Sequence, residues 1–368
     1  NLWERRAPLS PTHVQQLLQQ HDGIHVVVQR SARRIFPDVA YEAAGATLTD
    51  DDLLLKTDVI LGVKRPKDAT TLIPGKTYVF FSHVIKGQHK NMGLLETCLN
   101  NRIQLFDYER MLTSKQGRRL VSFGRYAGLA GALDSIHALG RRLLYSKGIS
   151  TTLLSFPPTT FHESLEAALE RLRELQTDSL DAVGEPIVLA VTGRGGSVHK
   201  GVMEALDCLP HQVVSVKDLP NLSNERGLFV VPVGLSDVMV HRSNDTFDRA
   251  DFQRHPSHYR SNFCTNVAAF SHVIINCVYW DSRFPRLLTK DQLRRLVESG
   301  NDRLLLVSDI SCDVNGSIEF LERTTTIEGP FFPYDPIIGK VLSGEIGDSG
   351  VMGMGVDVVP TGVRRDGW

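Results

Sequence analysis

Val191-Thr192-Gly193-Arg194-Gly195-Gly196-Ser197-Val198-His199-Lys200-Gly201 follows directly on the apolar run Ile187-Val188-Leu189-Ala190. A buried-type strand, a glycine-rich turn and a helical pattern (Val202, Met203, Ala205, Leu206) together open a dinucleotide-binding βαβ unit. Glycines permit a tight turn and let backbone N–H groups approach a pyrophosphate, while the helix N-terminus adds positive potential. Gly193, Arg194, Gly195 and Gly196 are therefore the expected cofactor-binding turn. The spacing departs from GxGxxG, because the next glycine is Gly201, and an ordinary strand-to-helix turn would look similar. The glycine turn itself carries no Walker-type Gly-Lys-Ser/Thr. About half the chain precedes the motif, so another domain is expected ahead of it.

That first half alternates in type. Thr12 to Gln20 reads as helix, His25 to Gln29 as strand, and Tyr41 to Ala44 as a short helix. Val59 to Val63, Thr77 to Phe81 and Ile103 to Phe106 read as strands, with a helix over Asn91 to Asn100. Such alternation predicts an α/β fold with mainly parallel sheets. Gly124 to Leu144 is a long apolar, glycine-studded helix, a candidate connection between domains, and Phe161 to Leu175 is an amphipathic one. Beyond the motif, Val213 to Val216, Val273 to Cys277 and Leu304 to Val307 are the expected strands. Asn221 to His258 is polar and turn-rich and reads as an insertion. The segment from about Phe320 has glycine-rich turns and the apolar run Val356 to Val359, and a return to the first domain is expected for it.

A chain of 368 residues has room for two cores. With 41 basic and 42 acidic side chains it carries no field suited to nucleic acid or a membrane surface. No apolar run is long enough for a transmembrane helix. Five scattered cysteines form no CxxC pair and read as buried thiols of a reducing compartment. His255-Pro256-Ser257-His258 looks like a ligand pair, but Pro256 and the want of a recognised acidic or cysteine partner argue against metal, so no metal site is expected. The chain opens at Asn1 without a targeting segment, and is expected to be an isolated domain or part of a longer protein.

The chemistry-bearing candidates of the first half lie at strand C-terminal ends, where open α/β sheets place ligands. Lys64 follows Val59 to Val63, His83 follows Thr77 to Phe81, and Glu109 lies beyond Ile103 to Phe106. Each alone suits a solvated surface. Together a lysine, a histidine and a carboxylate can transfer protons. Arg5, Arg6, Lys86, Arg118 and Arg119 form a basic set able to clamp carboxylates.

These residues stand in ordered motifs. Glu4 to Pro11, Leu61 to Pro66, Phe80 to Lys86, Asp107-Tyr108-Glu109 and Phe123 to Gly128 are followed by Val191 to Gly195. Tyr279-Trp280, Asp309 to Asp313 and Gly316 to Phe320 complete the series. The set resembles the lysine–2-oxoglutarate reductase domain of aminoadipic semialdehyde synthase, in the lysine-forming saccharopine dehydrogenase family, over nearly the whole chain. The resemblance implies two Rossmann-like domains with an interdomain active-site cleft, as in alanine dehydrogenase. It further implies a discontinuous substrate domain over 1–125 and 320–368, with the dinucleotide-binding domain at 126–319. The implied reaction condenses L-lysine with 2-oxoglutarate and reduces the imine to saccharopine, the first step of lysine catabolism. Lys64 and His83 match the acid–base pair and Glu109 the carboxylate near that lysine. Arg6, with Lys86 and Arg119, matches substrate contacts, and Asp309 joins the cofactor-binding set. Arg65 stands where monofunctional relatives carry glutamate, which favours the bifunctional enzymes and leaves Glu109 as sole partner for Lys64.

The predicted second strand ends in Ser215-Val216-Lys217 rather than in a carboxylate. Ser215 and Lys217 are thus expected at the ribose, and, with no carboxylate to repel a 2′-phosphate and Arg194 and Lys217 nearby, NADPH over NADH; Asp218 is the acidic group that a small register shift would bring in. A glutamate-forming saccharopine dehydrogenase domain, fused or separate, and a second copy of the chain are the expected partners. The resembling enzymes point to the mitochondrial matrix or the cytosol alike. Two other functions remain open from the residues: an alanine-dehydrogenase-like enzyme using ammonia, and a silent dinucleotide-sensing module.

Overall fold

The computed structural model describes residues 4–50, 56–87, 89–113, 117, 119–344 and 350–356. They fall into two compact units that divide between Phe123 and Gly124.

The first unit contains α1 (Pro11–Gln20), β1 (Val27–Gln29), α2 (Asp38–Ala43), β2 (Thr47–Thr49), β3 (Val59–Lys64), β4 (Thr77–Phe81), α3 (His89–Asn100) and β5 (Gln104–Asp107). Ser10 caps α1 by accepting the His13 N–H at 3.2 Å, and Pro11 opens the helix with a φ that needs no adjustment. β1 and β2 pair in parallel, and β3-β4-β5 form a second parallel sheet. Two modest cores result, one around Val14 and Tyr41, the other around Tyr78, Phe80, Leu94 and Cys98.

The second unit begins with α4 (Gly124–Lys147) and α5 (Leu165–Arg173). There follow β6 (Ile187–Thr192), α6 (Ser197–Leu206), β7 (Gln212–Val213), β8 (Leu228–Val233), α7 (Leu235–Val238), β9 (Met239–His241), α8 (Arg249–Arg254), β10 (Tyr259–Ser261) and α9 (Phe263–Asn266). β11 (Val273–Asn276), α10 (Lys290–Glu298), β12 (Leu306–Asp309), β13 (Phe331–Asp335), β14 (Lys340–Val341) and β15 (Val351–Met354) complete it. One mixed sheet has the order β14-β13-β15-β12-β11-β6-β8-β7, parallel from β7 to β15.

Three sequence expectations need correction here. The second strand after the glycine turn is only Gln212–Val213 and lies at the sheet edge, since Ser215 already caps a 3₁₀ segment over Val216–Asn224. The neighbour of β6 is β8, a buried strand inside the stretch read as an insertion. Pro232 hides it, because proline argues against a central strand. In β8 the carbonyl of Val230 faces β7, and the N–H that Pro232 lacks faces the same side, beyond the point where β7 has ended. The third correction concerns the C-terminal segment. Its described residues stay in the second unit: β15 pairs with β12, and β13 and β14 extend the same sheet, while 357–368 lie outside the described residues.

α4 begins at the divide between the two units. Its residues from Gly128 to Leu143 are buried almost continuously, so it is a core helix lying against α6 and the sheet. Glycine makes that approach possible. A Cβ on Gly128 would collide with the Val198 carbonyl, and one on Gly201 with the Arg125 carbonyl. Gly201 is therefore a packing glycine rather than a pyrophosphate ligand. Gly201→Ala is expected to overpack this contact and cost about 1–3 kcal/mol. The measurement is a urea midpoint, with Gly148→Ala compared because a Cβ there meets only open space and strains backbone alone.

Candidate functional site

In the first unit the strand ends converge on one buried carboxylate. Asp107 closes β5, and its side chain accepts the Ser82 hydroxyl on one oxygen and the Glu109 N–H at 2.9 Å on the other. It thereby fixes the residue after β4 and the 3₁₀ turn Tyr108–Arg110 after β5. His83 sits between these anchors in the left-handed region, with φ 58°, an uncommon conformation for a histidine. The buried Asn91 holds its carbonyl through Nδ2 at 3.3 Å.

From that backbone the His83 ring reaches Glu109, Nδ1 to Oε2 at 3.0 Å. Glu109 is 4% exposed, and its other oxygen meets Arg119 Nη1 at 3.3 Å. Lys64 ends β3 after a register shift and pairs with Phe81, two residues before His83. Three of the expected residues, His83, Glu109 and Arg119, are thus in direct contact. Arg119 touches the candidate catalytic carboxylate itself, a pairing the sequence reading did not contain. Arg6 is held differently: Glu4 takes its guanidinium through two bonds of 2.8 Å, and it lies 4.5 Å from the Phe123 ring centre. Phe123, Tyr108 and His83 all flank Phe81. Lys86 ends the 3₁₀ turn Val84–Lys86, its side chain lying outside the described set, as does Arg118. Ser82, Asn91 and Asp107 were missed, although Ser82 and Asp107 stand inside quoted motifs.

In the second unit Gly193 and Gly195 adopt φ of 75° and 88°, and Gly196 is the N-cap of α6 with no side chain capping it. A Cβ on Gly193 would lie 3.0 Å from the Cys277 carbonyl, whereas around Gly195 there is open space. Such a turn leaves helix-terminal N–H groups directed at whatever occupies the space, the arrangement that binds phosphate.

Beside it lies a buried polar chain. The Thr192 hydroxyl donates to Asn276 Oδ1 at 2.7 Å, and Asn276 Nδ2 donates to Asp309 Oδ1 and Ser317 Oγ, each at 2.9 Å. Ser311 adds a hydroxyl bond of 2.6 Å to the same Asp309 oxygen. Asp309 Oδ2 is buried and accepts no hydrogen bond from the described residues. Burial, opposed by Ser311 and Asn276, pushes the Asp309 carboxyl up to about 6. Left-handed glycine turn, uncapped helix and orphaned oxygen all fit a dinucleotide. Ser215 and Lys217 do not join this group: Ser215 bonds Asp218 at 2.7 Å, and Lys217 is exposed on the 3₁₀ segment.

His255 and His258 do have an acidic neighbour. His241, Asp251 and His258 each offer an atom within 4.8 Å of the others. Asp251, however, is already taken by His255 at 2.9 Å and Tyr259 at 3.0 Å. His241 Nδ1 accepts the Ser243 N–H, which puts the proton of the neutral ring on Nε2. Both Asp251 oxygens and His241 Nδ1 are thus already engaged in hydrogen bonds.

The family "Alanine dehydrogenase/PNT, N-terminal domain" matches residues 1–130. Alpha-aminoadipic semialdehyde synthase of Arabidopsis thaliana is 38% identical over 100% of this chain and 36% of its own length. The mitochondrial protein of that name from Bos taurus is 34% identical over 98% of this chain and 40% of its own. The chain thus spans well under half of these relatives. A Neurospora crassa saccharopine dehydrogenase (NAD(+), L-lysine-forming) is 24% identical, over 90% of this chain and 77% of its own. Among solved structures, an L-alanine dehydrogenase matches with TM-score 0.57 and 16% identity, over 98% of this chain and 81% of its own. A transhydrogenase from Sinorhizobium meliloti gives 0.53 and 15%, over 98% and 84%. These likenesses establish the α/β fold with parallel sheets. Among the described residues no helix is long and apolar enough to cross a membrane.

The raised Asp309 carboxyl gives a signed prediction. Its folded pKa exceeds the unfolded value, so folding binds a proton between about pH 4 and 6 and stability falls as pH rises through that window. Asp309→Asn is expected to remove this fall, an effect on the order of 2–3 kcal/mol. Urea midpoints of both proteins across the window test it, and parallel curves would refute it.

Proposed function

Because the chain is a homologue, along its whole length, of one segment of the alpha-aminoadipic semialdehyde synthases, we propose that it is an NADPH-dependent oxidoreductase of the saccharopine-dehydrogenase, lysine-forming type. It condenses L-lysine with 2-oxoglutarate and yields saccharopine. The observation that carries this reading is the His83–Glu109–Arg119 contact at the strand ends next to Lys64.

The reaction needs two proton movements. The lysine ε-ammonium must lose a proton before its nitrogen attacks the keto carbon, and the carbinolamine oxygen must gain one to leave as water. Glu109, accepting from His83 Nδ1–H, fixes the tautomer so that Nε2 is the working nitrogen. Lys64 supplies the second acid–base group. The bound dinucleotide supplies the hydride that reduces the imine carbon. Arg119, half exposed, can share its guanidinium between Glu109 and a substrate carboxylate, and Arg6 and Lys86 are further carboxylate contacts. Gly193, Gly195 and Gly196 would hold the pyrophosphate, and Asp309 belongs to the same proposed cofactor-binding set. A glutamate-forming saccharopine dehydrogenase, fused or separate, would consume the product.

Loss of the reduced-nicotinamide absorbance should require lysine, 2-oxoglutarate and NADPH together. Lys64→Met and His83→Gln should each lower kcat about 100- to 10,000-fold, with NADPH affinity retained. Turnover with ammonia and a small keto acid instead would identify an amino-acid dehydrogenase. NADPH binding without any turnover would identify a sensing module.

A further inference from the structure

In a Rossmann unit the strand next to the first one carries, at its C-terminal end, the residues that meet the adenosine ribose. Here that neighbour is β8, and β7 stops opposite Val230. The end of β8 from Pro232 to Gly234 is therefore an open edge. Arg194, from the glycine turn, folds across it. Its guanidinium meets Asp237 Oδ2 at 3.0 Å and the Pro232 carbonyl at 3.5 Å. It lies so close to Gly234 that a Cβ there would stand 2.8 Å from Nη2. Asp237 is itself fixed by the Gly234 N–H at 2.7 Å, while Arg194 remains 49% exposed. Lys217 follows β7, one strand further from β6.

We propose that Arg194, seated on Gly234 and paired with Asp237, is the group that reads the 2′-phosphate of the dinucleotide, in place of Ser215 and Lys217. The inference rests on the dinucleotide reading above and names the residues that set its specificity. The carboxylate of Asp237 competes with the phosphate for the same guanidinium, so the pair tunes selectivity in opposite directions. Removing Arg194 deletes a planar cation matched to phosphate geometry. Removing the charge of Asp237 frees that cation.

Calorimetric titration of the purified 368-residue chain with 2′,5′-ADP and with 5′-AMP tests this. Arg194→Gln should weaken 2′,5′-ADP by about tenfold or more and leave 5′-AMP nearly unchanged, which also shows that the variant is folded. Asp237→Asn, which keeps an oxygen for the Gly234 N–H, should tighten 2′,5′-ADP relative to 5′-AMP. Lys217→Gln should alter that ratio less than Arg194→Gln does. An unchanged ratio in Arg194→Gln, or an equal loss in Lys217→Gln, overturns the assignment while leaving the dinucleotide site intact. Failure of the unaltered chain to bind NADPH or either fragment overturns the dinucleotide reading and the assignment with it.

Discussion

The second unit depends on the contact of two helix backbones, α4 and α6, across glycine. Helices that carry side chains at their contact are held about 8–10 Å apart; Gly128 and Gly201 remove the atoms that would hold these two apart. The Arg125–Glu204 ion pair then bridges the same helices at their exposed margin. Because α6 begins immediately after the turn, its seating on α4 also fixes where Gly193 to Gly196 present their N–H groups. Packing and ligand geometry are one constraint here.

Both units organise their strand ends around a buried polar hub. Asp107 spends its two oxygens on Ser82 and on the Glu109 backbone, so it orients catalytic candidates without facing substrate. Asn276 does the corresponding task in the second unit, bridging β6 to β12 through Thr192 and Asp309. A buried amide or carboxylate left unpaired is costly, so each hub permits essentially one arrangement of its neighbours. Glu109 differs in being shared between His83 and Arg119, on the side where chemistry is proposed.

Alternation of type along the chain made the α/β class legible, and the glycine turn marked β6 and α6 almost to the residue. Lys64, His83 and Glu109 were legible because strand ends are where parallel sheets expose ligand-facing residues. β8 was not, since Pro232 forbids a central strand unless its missing N–H faces an open edge, and edge length is set by β7 at long range. The α4 helix looked like a linker because burial on nearly all sides erases the amphipathic stripe that identifies a packed helix. Asp107 carried no signal of its own, as nothing local to it distinguishes a hub from a strand-end carboxylate.

The C-terminal strands show how far such long-range closure reaches into the chemistry. β15 lies against β12 on the side opposite β11, so β12 has a strand on each flank. Phe332 packs on Gly353 and Leu321 on Gly355, where any Cβ would clash, and the Cys312 thiol bonds the Gly355 carbonyl at 3.0 Å. With that wall in place Asp309 is 1% exposed, and burial is the largest cause of its raised carboxyl pKa. Had the segment returned to the first unit, β12 would be an edge strand and Asp309 would be open to water. Burial of a residue near the glycine turn is thus completed by packing that involves a strand more than forty residues downstream.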